Sequence, residues 1–417
     1  MVSFRKRIAV VVGAVGIAAG LGACGGGGTS SSADGGPGAG NLSQRPAEAM
    51  PLFDDTQMHQ IELTMSPDDW QSIINDSQGD TWRHATVKYD GVVVDDVGVH
   101  PSGESSRFPG NQKMSFRIKF DAFDSRGKFG GESTVNVKGE YDDGSMMRER
   151  LAFFVFKSLM PTPKAAHARV VVNGDLRGLY TLREDWDSRS IAEHFSAPLG
   201  PLYRIRPLLP TDDPYKYLGD DTATYVPVPW EPHITKEASR GDDVVPAFLK
   251  ALSMNPAPLE SVADVDNLFA YLSGSMICML TDGFIGDHGV ADHFQYFDPQ
   301  SGKFFILPWD PDNSFSSQGE TPDRYLEARF SRNALALVVR DQSDYRQRYL
   351  AKLKAAIAAL PASAVQAQAD AIYAQIKDVA HEDPIKMFPN DTFDWNLGYI
   401  KDFVTARYAY IQSQLGN

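Results

Sequence analysis

The sequence contains little cysteine: only Cys24 and Cys278 occur in 417 residues. Cys278 lies in the apolar stretch LSGSMICML, so we expect its side chain to be buried and to pack as a small hydrophobe. Cys24 lies in an N-terminal segment whose sequence indicates another role for its thiol, as described below. A disulfide framework is therefore excluded as the main source of stability of this protein.

Positive charge is also scarce, because 54 acidic residues outnumber 40 basic ones and give a net charge of −14. Neutralisation of nucleic-acid phosphates needs a basic patch, so this balance argues against nucleic-acid binding. After the N-terminal region the sequence has no further apolar run of about 18 residues, the length needed to span a membrane. The remaining chain has the composition of a packed globular protein.

Several catalytic signatures are missing as well. The nine histidines form no HExxH motif, GxSxG does not occur, and no glycine-rich loop ends in the Gly-Lys-Ser of a P-loop. The apolar surroundings of Cys278 also argue against a cysteine nucleophile. These absences exclude zinc-protease, serine-hydrolase, P-loop and cysteine-nucleophile chemistry.

The N-terminus has the layout of an export signal. The basic segment MVSFRKR precedes the small-residue apolar run IAVVVGAVGIAAGLGA, which is short for a membrane span. The run ends in Leu21-Gly22-Ala23-Cys24, which is similar to the lipobox of bacterial lipoproteins. We therefore expect residues 1–24 to be a lipoprotein signal peptide and Cys24 to carry a lipid that holds the protein on the extracytoplasmic face of the cell membrane. An ordinary signal peptide with a chance cysteine is the alternative.

Residues 25–50 differ in composition from the chain that follows. They include GGGGTSSSADGGPGAG, and such Gly/Ser-rich chain cannot bury enough apolar surface to fold, so we expect a flexible tether. Residues 51–417 are long enough for one large or two ordinary domains. In this part strand patterns come first and helical patterns later, which predicts an α+β fold with two lobes.

The pattern of apolar residues gives a first secondary structure. It predicts a strand and then a helix in 58–76, a hairpin turning at Asp90-Gly91, and a strand in 113–123. It also predicts a helix in 144–160, a hairpin turning at Asn173-Gly174, and a buried helix in 265–286. Residues 186–260 are rich in proline and are expected to be irregular. A further hairpin ends in the stretch discussed next, and helices follow from about residue 320.

The stretch FFILPWDPDNSF (304–315) places two carboxylates where a buried strand ends. The apolar run stops at Pro308, and Asp310 and Asp312 follow two residues apart. Burial of carboxylates at such a position costs free energy unless a cation or hydrogen bonds compensate for it. An Asp-Pro turn capped by Asn313 and Ser314 is the structural alternative to a binding site.

Four motifs in order resemble one known family. KMSFRIKF, YDDGSMMRERLA, VVVNGDLRGLYTLRED and FFILPWDPDNSF occur in the order and approximate spacing of the CotH kinase family of spore-coat-type proteins, and IELTMSPDDWQSII resembles the start of its domain. The resemblance implies a CotH kinase-like domain over 51–417 with a two-lobed, atypical protein-kinase-like fold. It places an antiparallel-sheet N-lobe at about 51–200 and a mainly helical C-lobe at about 201–417. It also implies ATP- and Mg²⁺-dependent (or Mn²⁺-dependent) phosphorylation of Ser or Thr on a surface or secreted protein.

The resemblance assigns metal ligands among the acidic residues. Asp310 matches the metal-binding Asp of the family's PWD motif, and oxygen ligands of this kind suit Mg²⁺. Asp312 is a second ligand or a group that supports the first. The family commonly has His-Asn before its aromatic strand, where this chain has Asp292-His293, so the remaining ligand is Asp292 or His293 according to the alignment.

Asp287, in TDGFIGDHGVADHFQYF, resembles the family's catalytic Asp. Its implied role is to orient the acceptor hydroxyl and to accept its proton. Asp282, five residues earlier, is the main rival for this role. A polar loop with solvated acids is the alternative for the whole segment.

The resemblance also implies a set of nucleotide-binding residues. Lys113 and Lys119 both match basic positions of the family, and a strand Lys paired with a Glu contacts the α- and β-phosphates in kinases. Glu184 is the implied partner of Lys119, although a purely structural Lys–Glu pair is the alternative. Arg204 is a weaker candidate for a nucleotide contact. We expect Arg148 to pair with a nearby Asp instead.

Two further interpretations remain open. The loop HPSGESSRFPG (100–110) resembles the family's glycine/serine loop and could cover phosphates with backbone amides, or it could be a plain hairpin loop. For the protein as a whole, the alternative to a kinase is a non-catalytic envelope or surface binding protein on the same fold. A carbohydrate-active protein that uses exposed aromatics such as Trp230 is a weaker third reading, because such residues more often form the core.

Overall fold

The computed structural model describes residues 51–75, 81–103, 106–206, 209, 211–234, 241–253, 258–286, 289–324, 327 and 329–416. The expected signal peptide (1–24), the lipidation site Cys24, the tether (25–50) and the candidate catalytic residue Asp287 lie outside these residues. Within the described part, no helix is both long enough and apolar enough to cross a membrane. The chain has an α+β fold.

The described strands and helices follow one another along the chain as strands first and helices mostly later. The strands are β1 (Met58–Met65), β2 (Arg83–Tyr89), β3 (Val92–Ser102), β4 (Ser115–Lys119), β5 (Thr134–Lys138), β6 (Ala165–Val172), β7 (Asp175–Glu184), β8 (Leu202–Ile205), β9 (Trp230–Ile234), β10 (His293–Asp298) and β11 (Lys303–Pro308). The helices are α1 (Pro67–Asn75), α2 (Arg148–Lys157), α3 (Ser188–Ala192), α4 (Val244–Ser253), α5 (Val265–Cys278), α6 (Ala334–Asp341), α7 (Ser343–Ala359), α8 (Ala362–Glu382) and α9 (Asn390–Leu415).

The first seven strands form a closed barrel in the order β1-β2-β3-β4-β5-β7-β6. The pairs are antiparallel except for β1 and β6, which run parallel and close the barrel. Each strand turns one face inwards: in β4, Phe116 and Ile118 are buried in the barrel core, whereas Arg117 and Lys119 between and beside them are half-buried on the outside. This period-2 alternation makes the barrel interior apolar and leaves polar side chains on its outer face.

The second sheet has four strands in the order β11-β10-β8-β9. Helix α5 packs against β11 and also against α2, α7 and α9, so a large apolar core connects this sheet to the C-terminal helices. Helix α5 ends at Cys278 because Met279 adopts a left-handed conformation with φ 54°, which stops the helical hydrogen bonding. Cys278 itself is fully buried, as predicted.

Several sequence-based expectations need correction. The strands of the first half form a closed barrel with one parallel pair, whereas a purely antiparallel sheet was expected. The predicted helix in 265–286 ends eight residues earlier, at Cys278. The segment 186–260 contains two strands and helix α4 that the sequence did not predict, because β8 and β9 are only four and five residues long and the chain between them is rich in proline. Trp230, in β9, is fully buried in the core.

A buried ion pair fastens the barrel to the C-terminal helices. The Lys113 ammonium contacts the Asp383 carboxylate, just after α8, at 2.5 Å, and both side chains are fully buried. Lys113 also donates to the Leu179 carbonyl at 2.7 Å, and Asp383 accepts from the Leu179 amide at 3.0 Å. Gly178 lets the carboxylate approach so closely, because a Cβ there would lie 2.0 Å from Asp383 Cγ. Burial lowers the pKa of Lys113 to about 8, although the Asp383 charge opposes this.

Replacement of Gly178 by alanine tests this pair. Gly178 has φ +87°, and the added Cβ would push Asp383 away from Lys113, so we expect Gly178→Ala to lower the free energy of unfolding by about 3–5 kcal/mol, as for a broken buried ion pair. Gly174→Ala is the matched control, because Gly174 has φ +89° but open space around it. That control should cost only about 1 kcal/mol of backbone strain. Urea unfolding of both variants gives the comparison, and equal losses would contradict the role of Gly178.

Candidate active site

A cavity of about 360 Å³ lies between the outer face of the barrel and the segment that follows β11. It is lined by many charged side chains of both signs. Its basic lining residues within the described chain are Arg107, Arg117, Lys138, Arg183, Arg204 and Arg206, and its acidic ones are Glu140, Asp142, Asp282, Asp292, Asp310 and Asp312. The opposed charges nearly balance, so the cavity combines strong local fields with a small net charge.

The barrel presents its polar face to the cavity through register. Arg117 on β4, Asn136 on β5 and Arg183 on β7 lie directly opposite one another across three strands. The Arg117 Nε donates to Asn136 Oδ1 at 2.9 Å, which orients the row. Lys138 lies two residues beyond Asn136 at the end of β5 and points out on the same side, because Val137 between them packs in the barrel core.

Lys138 is the residue on which the acidic side chains converge. Its ammonium contacts the Asp310 carboxylate, and it lies 2.8 Å from Asp312 Oδ2 and 3.2 Å from Glu149 Oε2 on α2. Burial alone would lower the pKa of Lys138, but the charges of Asp310, Asp312 and Glu149 raise it well above its usual value. Lys138 is therefore charged at any physiological pH, and it supplies the partner that Asp310 and Asp312 require.

Arg183 completes the neutralisation of Asp310. Its Nη1 lies 3.0 Å from Asp310 Oδ1 and 2.5 Å from Glu149 Oε1. Its guanidinium also lies over the Trp309 ring, 3.7 Å from the ring centroid, a cation–π contact that fixes its plane. Arg183 is thus held on three sides.

Asp310 and Asp312 differ in their electrostatic surroundings. Burial opposes ionisation of Asp310, but Lys138 and Arg183 lower its pKa below the usual range. Burial and the charge of Asp310 raise the pKa of Asp312 to about 8 despite Lys138. Asp310 also has a left-handed backbone with φ 53°, which turns the chain sharply at the end of β11.

A second acidic pair lies on the wall that precedes β10. Burial raises the pKa of Asp282 to about 8, and the neighbouring Asp292 adds to the shift through its charge and a hydrogen bond. Asp292 has a left-handed backbone, φ 44°, and its Oδ1 lies 3.3 Å from Arg204 Nη2. The structure therefore brings Arg204, Asp292 and Asp282 to the same cavity as Asp310.

Glu140 has an unusual position in the cavity wall. Its side chain is 4% exposed, and neither carboxylate oxygen has a hydrogen-bond partner among the described residues. Burial, followed by the charges of Glu149 and other nearby acids, raises its pKa well above the usual value even though Lys138 acts in the opposite direction. A buried carboxyl group with no partner on either oxygen is costly, so this position needs an explanation.

The predicted pair of Lys119 and Glu184 is not formed. Lys119 contacts Asp121 at 3.6 Å on the barrel surface and does not line the cavity. Glu184 contacts Lys164 at 2.9 Å and Arg189 at 3.2 Å, away from Asp310. This pairing is wrong because alternation along a strand shows which side chains face outwards but not which part of the outer face another element covers.

Lys113 and His293 also lie away from the cavity. Lys113 is buried against Asp383 and has a structural role there, so its nucleotide contact is not supported. His293 is fully buried, its Nε2 lies 2.6 Å from the Tyr215 hydroxyl and its Nδ1 lies 2.7 Å from the Ala291 carbonyl oxygen. Burial lowers its pKa to about 4. Of the two alternatives at this position, Asp292 lines the cavity and His293 does not.

Other sequence-based expectations can be placed as well. Arg148 pairs with Asp143, as expected of a structural ion pair. Residues 100–103, 106 and 107 of the loop HPSGESSRFPG line the cavity, which agrees with a loop over a ligand. The candidate base Asp287 lies outside the described residues, and its rival Asp282 lies inside the cavity.

The donor set fits a hard divalent cation. Asp282, Asp292, Asp310 and Asp312 offer only oxygen ligands, and the raised pKa values of Asp282 and Asp312 show excess negative charge that a cation would relieve. No three His, Cys, Asp or Glu side chains in the described chain are grouped so that they hold a metal by themselves. Mg²⁺ commonly takes one or two carboxylates and completes its coordination with water and phosphate oxygens, so two of these residues suffice.

Sequence reasoning missed Lys138, Glu149 and Arg183. Lys138 ends the alternating stretch TVNVK, and Glu149 opens the next helix, the order in which kinases place the strand lysine and its helix glutamate. That order was a usable signal. Arg183, in contrast, is next to the selected Glu184, and alternation places it on the opposite side of the strand.

Comparison with known proteins gives two findings. The family model described as CotH kinase protein matches residues 99–411, which covers the barrel from the end of β3 and nearly all of the helical part. The inner spore coat protein H of Bacillus subtilis (strain 168) is 24% identical over 319 residues, which are 73% of this chain and 83% of that protein. The matched region includes every described residue that lines the cavity. This chain belongs to the CotH kinase protein family.

Proposed function

We propose that this protein is an extracytoplasmic atypical protein kinase that transfers the γ-phosphate of ATP to Ser or Thr of a surface or secreted protein. The observation that carries the proposal is the position of Lys138, which contacts a helix glutamate, Glu149, and a strand-end aspartate, Asp310, at once. In protein kinases the strand lysine pairs with a helix glutamate, and a nearby aspartate holds the metal. A two-lobed, kinase-like arrangement of barrel and helical part is included in this proposal.

In this proposal, different residues of the cavity bind the phosphates and the metal. Lys138 would hold the α- and β-phosphates, with Glu149 keeping its ammonium in place. Asp310 with Asp312 or Asp292 would hold Mg²⁺ or Mn²⁺, which supplies neutralisation of the phosphate charge when bound. Arg204, 3.3 Å from Asp292, orients that carboxylate and offers a further cationic contact.

The base that accepts the proton of the acceptor hydroxyl is Asp287 or Asp282 in this proposal. The resemblance to the family favours Asp287, and the raised pKa of Asp282, about 8, favours a carboxylate that can take up a proton near neutral pH. The two residues lie five positions apart in the sequence, so they can be distinguished by separate substitution.

The proposed phosphate acceptor and the proposed cellular location have weaker support than the site residues. The relative's name places it in the inner spore coat, which supports a structural surface protein as the acceptor. The lipobox-like sequence ending at Cys24 supports attachment to the cell membrane through a lipid. The acidic balance of the chain supports a protein partner and not nucleic acid.

One observation favours a second candidate function. Lys138 and Arg183 already neutralise Asp310, and Lys138 also pairs with Asp312, so these acids have partners without any metal. A non-catalytic surface binding protein on the CotH kinase-like fold would use the same contacts as a structural ion network. Binding of ATP separates the two functions.

The lysine substitutions test the assignment directly. We expect Lys138→Met to lower transfer of labelled γ-phosphate from Mg-ATP by about 10²–10³-fold, since a positioned cation is lost from the phosphates. Lys119→Met is the matched control, because Lys119 is also on the outer face of the barrel but contacts only Asp121 and Trp82 by ion pair and ring contact in the described chain. The control should keep at least half of the activity. Loss in the control alone would restore the sequence-based assignment, and no ATP binding by the unaltered protein would support the second candidate function.

Substitution of the acids separates metal binding from proton transfer. We expect Asp310→Asn to abolish phosphoryl transfer together with metal binding. Either Asp287→Asn or Asp282→Asn should lower transfer about 10²–10⁴-fold, and the residue that does so while metal binding is retained is the base. Isothermal titration with Mn²⁺ and a filter assay with labelled ATP give the two readouts. Retained transfer in Asp310→Asn would contradict the proposed site.

The raised pKa values predict a pH dependence of metal binding. Burial and the neighbouring acids raise the pKa values of Asp282 and Asp312 to about 8, so a rise in pH through this value favours their ionised forms. A divalent cation needs ionised ligands, so its binding should release protons, and its affinity should increase as the pH rises from about 6 to about 9. Titration in two buffers with different protonation enthalpies measures the release. Asp312→Asn should release fewer protons, and a pH-independent affinity would refute the prediction.

A further inference from the structure

We propose that Lys138 is a built-in competitor for the divalent cation: its ammonium lies between Asp310 and Asp312 until a metal displaces it towards Glu140 and Glu149. The inference rests on the metal site of the proposed function and extends it by assigning a role to Glu140. In this view, binding of the metal and the position of the Lys138 ammonium are coupled.

The starting position is given by the contacts of Lys138. The ammonium bridges Asp310 and Asp312, to which it lies at hydrogen-bond distance, and these two carboxylates are one of the two ligand pairs proposed for the metal. The Lys138 ammonium, a positive charge between two carboxylates, occupies the position that a metal ion would take. Mg²⁺ binds oxygen at about 2.0–2.1 Å, so the ammonium and the metal cannot both hold the same oxygens. A metal held by Asp310 Oδ1 and Asp312 Oδ2, the two oxygens that Lys138 contacts, therefore requires Lys138 to move.

The structure provides a destination for the displaced ammonium. Glu149 already lies 3.2 Å from Lys138 Nζ and needs no rearrangement to accept it. Glu140 is 4% exposed, both of its oxygens lack a hydrogen-bond partner in the described chain, and only Gly139 separates it from Lys138 in the sequence. A buried carboxyl group without a donor is costly, so a structure in which Lys138 donates to Glu140 recovers free energy that the metal-free state forgoes.

Lys138 and not Arg183 is the mobile cation. The Arg183 guanidinium is fixed by Glu149 on one side and by the Trp309 ring 3.7 Å away on the other. The lysine has a flexible four-carbon stem that ends in a compact charge, and no ring holds it in place in the described structure. Only Gly139 separates Lys138 from Glu140 in the sequence, so the inference requires a change in side-chain torsions of Lys138 and no movement of a distant element.

If Lys138 competes with the metal for the two aspartates, removal of the lysine should strengthen metal binding. We expect Lys138→Met to bind Mn²⁺ at least tenfold more tightly than the unaltered protein in the absence of nucleotide. The full chain in detergent is titrated with Mn²⁺, and free Mn²⁺ is counted by electron paramagnetic resonance. Lys119→Met should bind as the unaltered protein does. Unchanged or weaker binding by Lys138→Met would overturn the inference.

A double-mutant cycle tests the role of Glu140. If Glu140 receives the displaced ammonium, Glu140→Gln should weaken Mn²⁺ binding about tenfold when Lys138 is present and have little effect in the Lys138→Met background. Asp142→Asn removes an acidic side chain from the same cavity and should weaken binding equally in both backgrounds, as a simple charge effect does. An equal effect of Glu140→Gln in both backgrounds would remove Glu140 from the inference.

A structural readout keeps the test independent of how well the variants fold. Crystals of the unaltered chain grown with and without Mn²⁺ should show the metal at Asp310 and Asp312, with Lys138 Nζ within hydrogen-bond distance of Glu140. A metal bound there with Lys138 still between the two aspartates would overturn the inference. If the metal displaces Lys138 but no phosphoryl transfer occurs, the kinase proposal is rejected and the competition between Lys138 and the metal is established. If transfer occurs and Lys138 is not displaced, the kinase proposal stands and the competition is rejected.

Discussion

A buried ammonium held by three carboxylates organises this structure. Lys138 ends a barrel strand, Glu149 opens the helix that follows, and Asp310 and Asp312 come from the far end of the second sheet. A buried charge is stable only if its partners are held in place. The strand, the helix and the sheet that carry Lys138 and its partners pack in separate hydrophobic cores. The barrel, the helix and the second sheet therefore meet at one point that none of them could form alone.

The charges around this point explain why the cavity suits a phosphate–metal ligand. Cations project from the barrel and from β8, and acids come mainly from the loops before β10 and after β11, so the two signs face each other across the space. A ligand that carries both negative phosphates and a divalent cation matches this division. The same contacts would also stabilise a protein that binds no such ligand.

The parts that the sequence predicted correctly share a physical feature. Asp310 and Asp312 adjoin a buried strand, and carboxylates at such positions need a partner, so the pattern of residues drew attention to them, whereas Asp292 was selected through the resemblance to the family. The two hairpin turns at Asp90-Gly91 and Asn173-Gly174 were also recognised, because those residue pairs adopt the left-handed backbone that tight turns require.

The parts that it missed depend on contacts between distant segments. Alternation identified Lys119 as an outward-facing lysine of β4, but only the packing of the second sheet decides that Lys138, on the next strand, faces the acids. Barrel closure by the parallel pair of β1 and β6 joins residues more than a hundred positions apart, and no local pattern reveals it. Lys113 looked like a ligand-binding cation, whereas its partner Asp383 lies 270 residues away.

The Lys113–Asp383 pair has a mechanical consequence. In many kinases the two lobes swing about a hinge to admit nucleotide. Here the Lys113–Asp383 ion pair joins the barrel to the turn after α8. Rotation of one part against the other would leave a buried ammonium and a buried carboxylate without their partners. The pair therefore opposes separation of the barrel from the chain that follows α8.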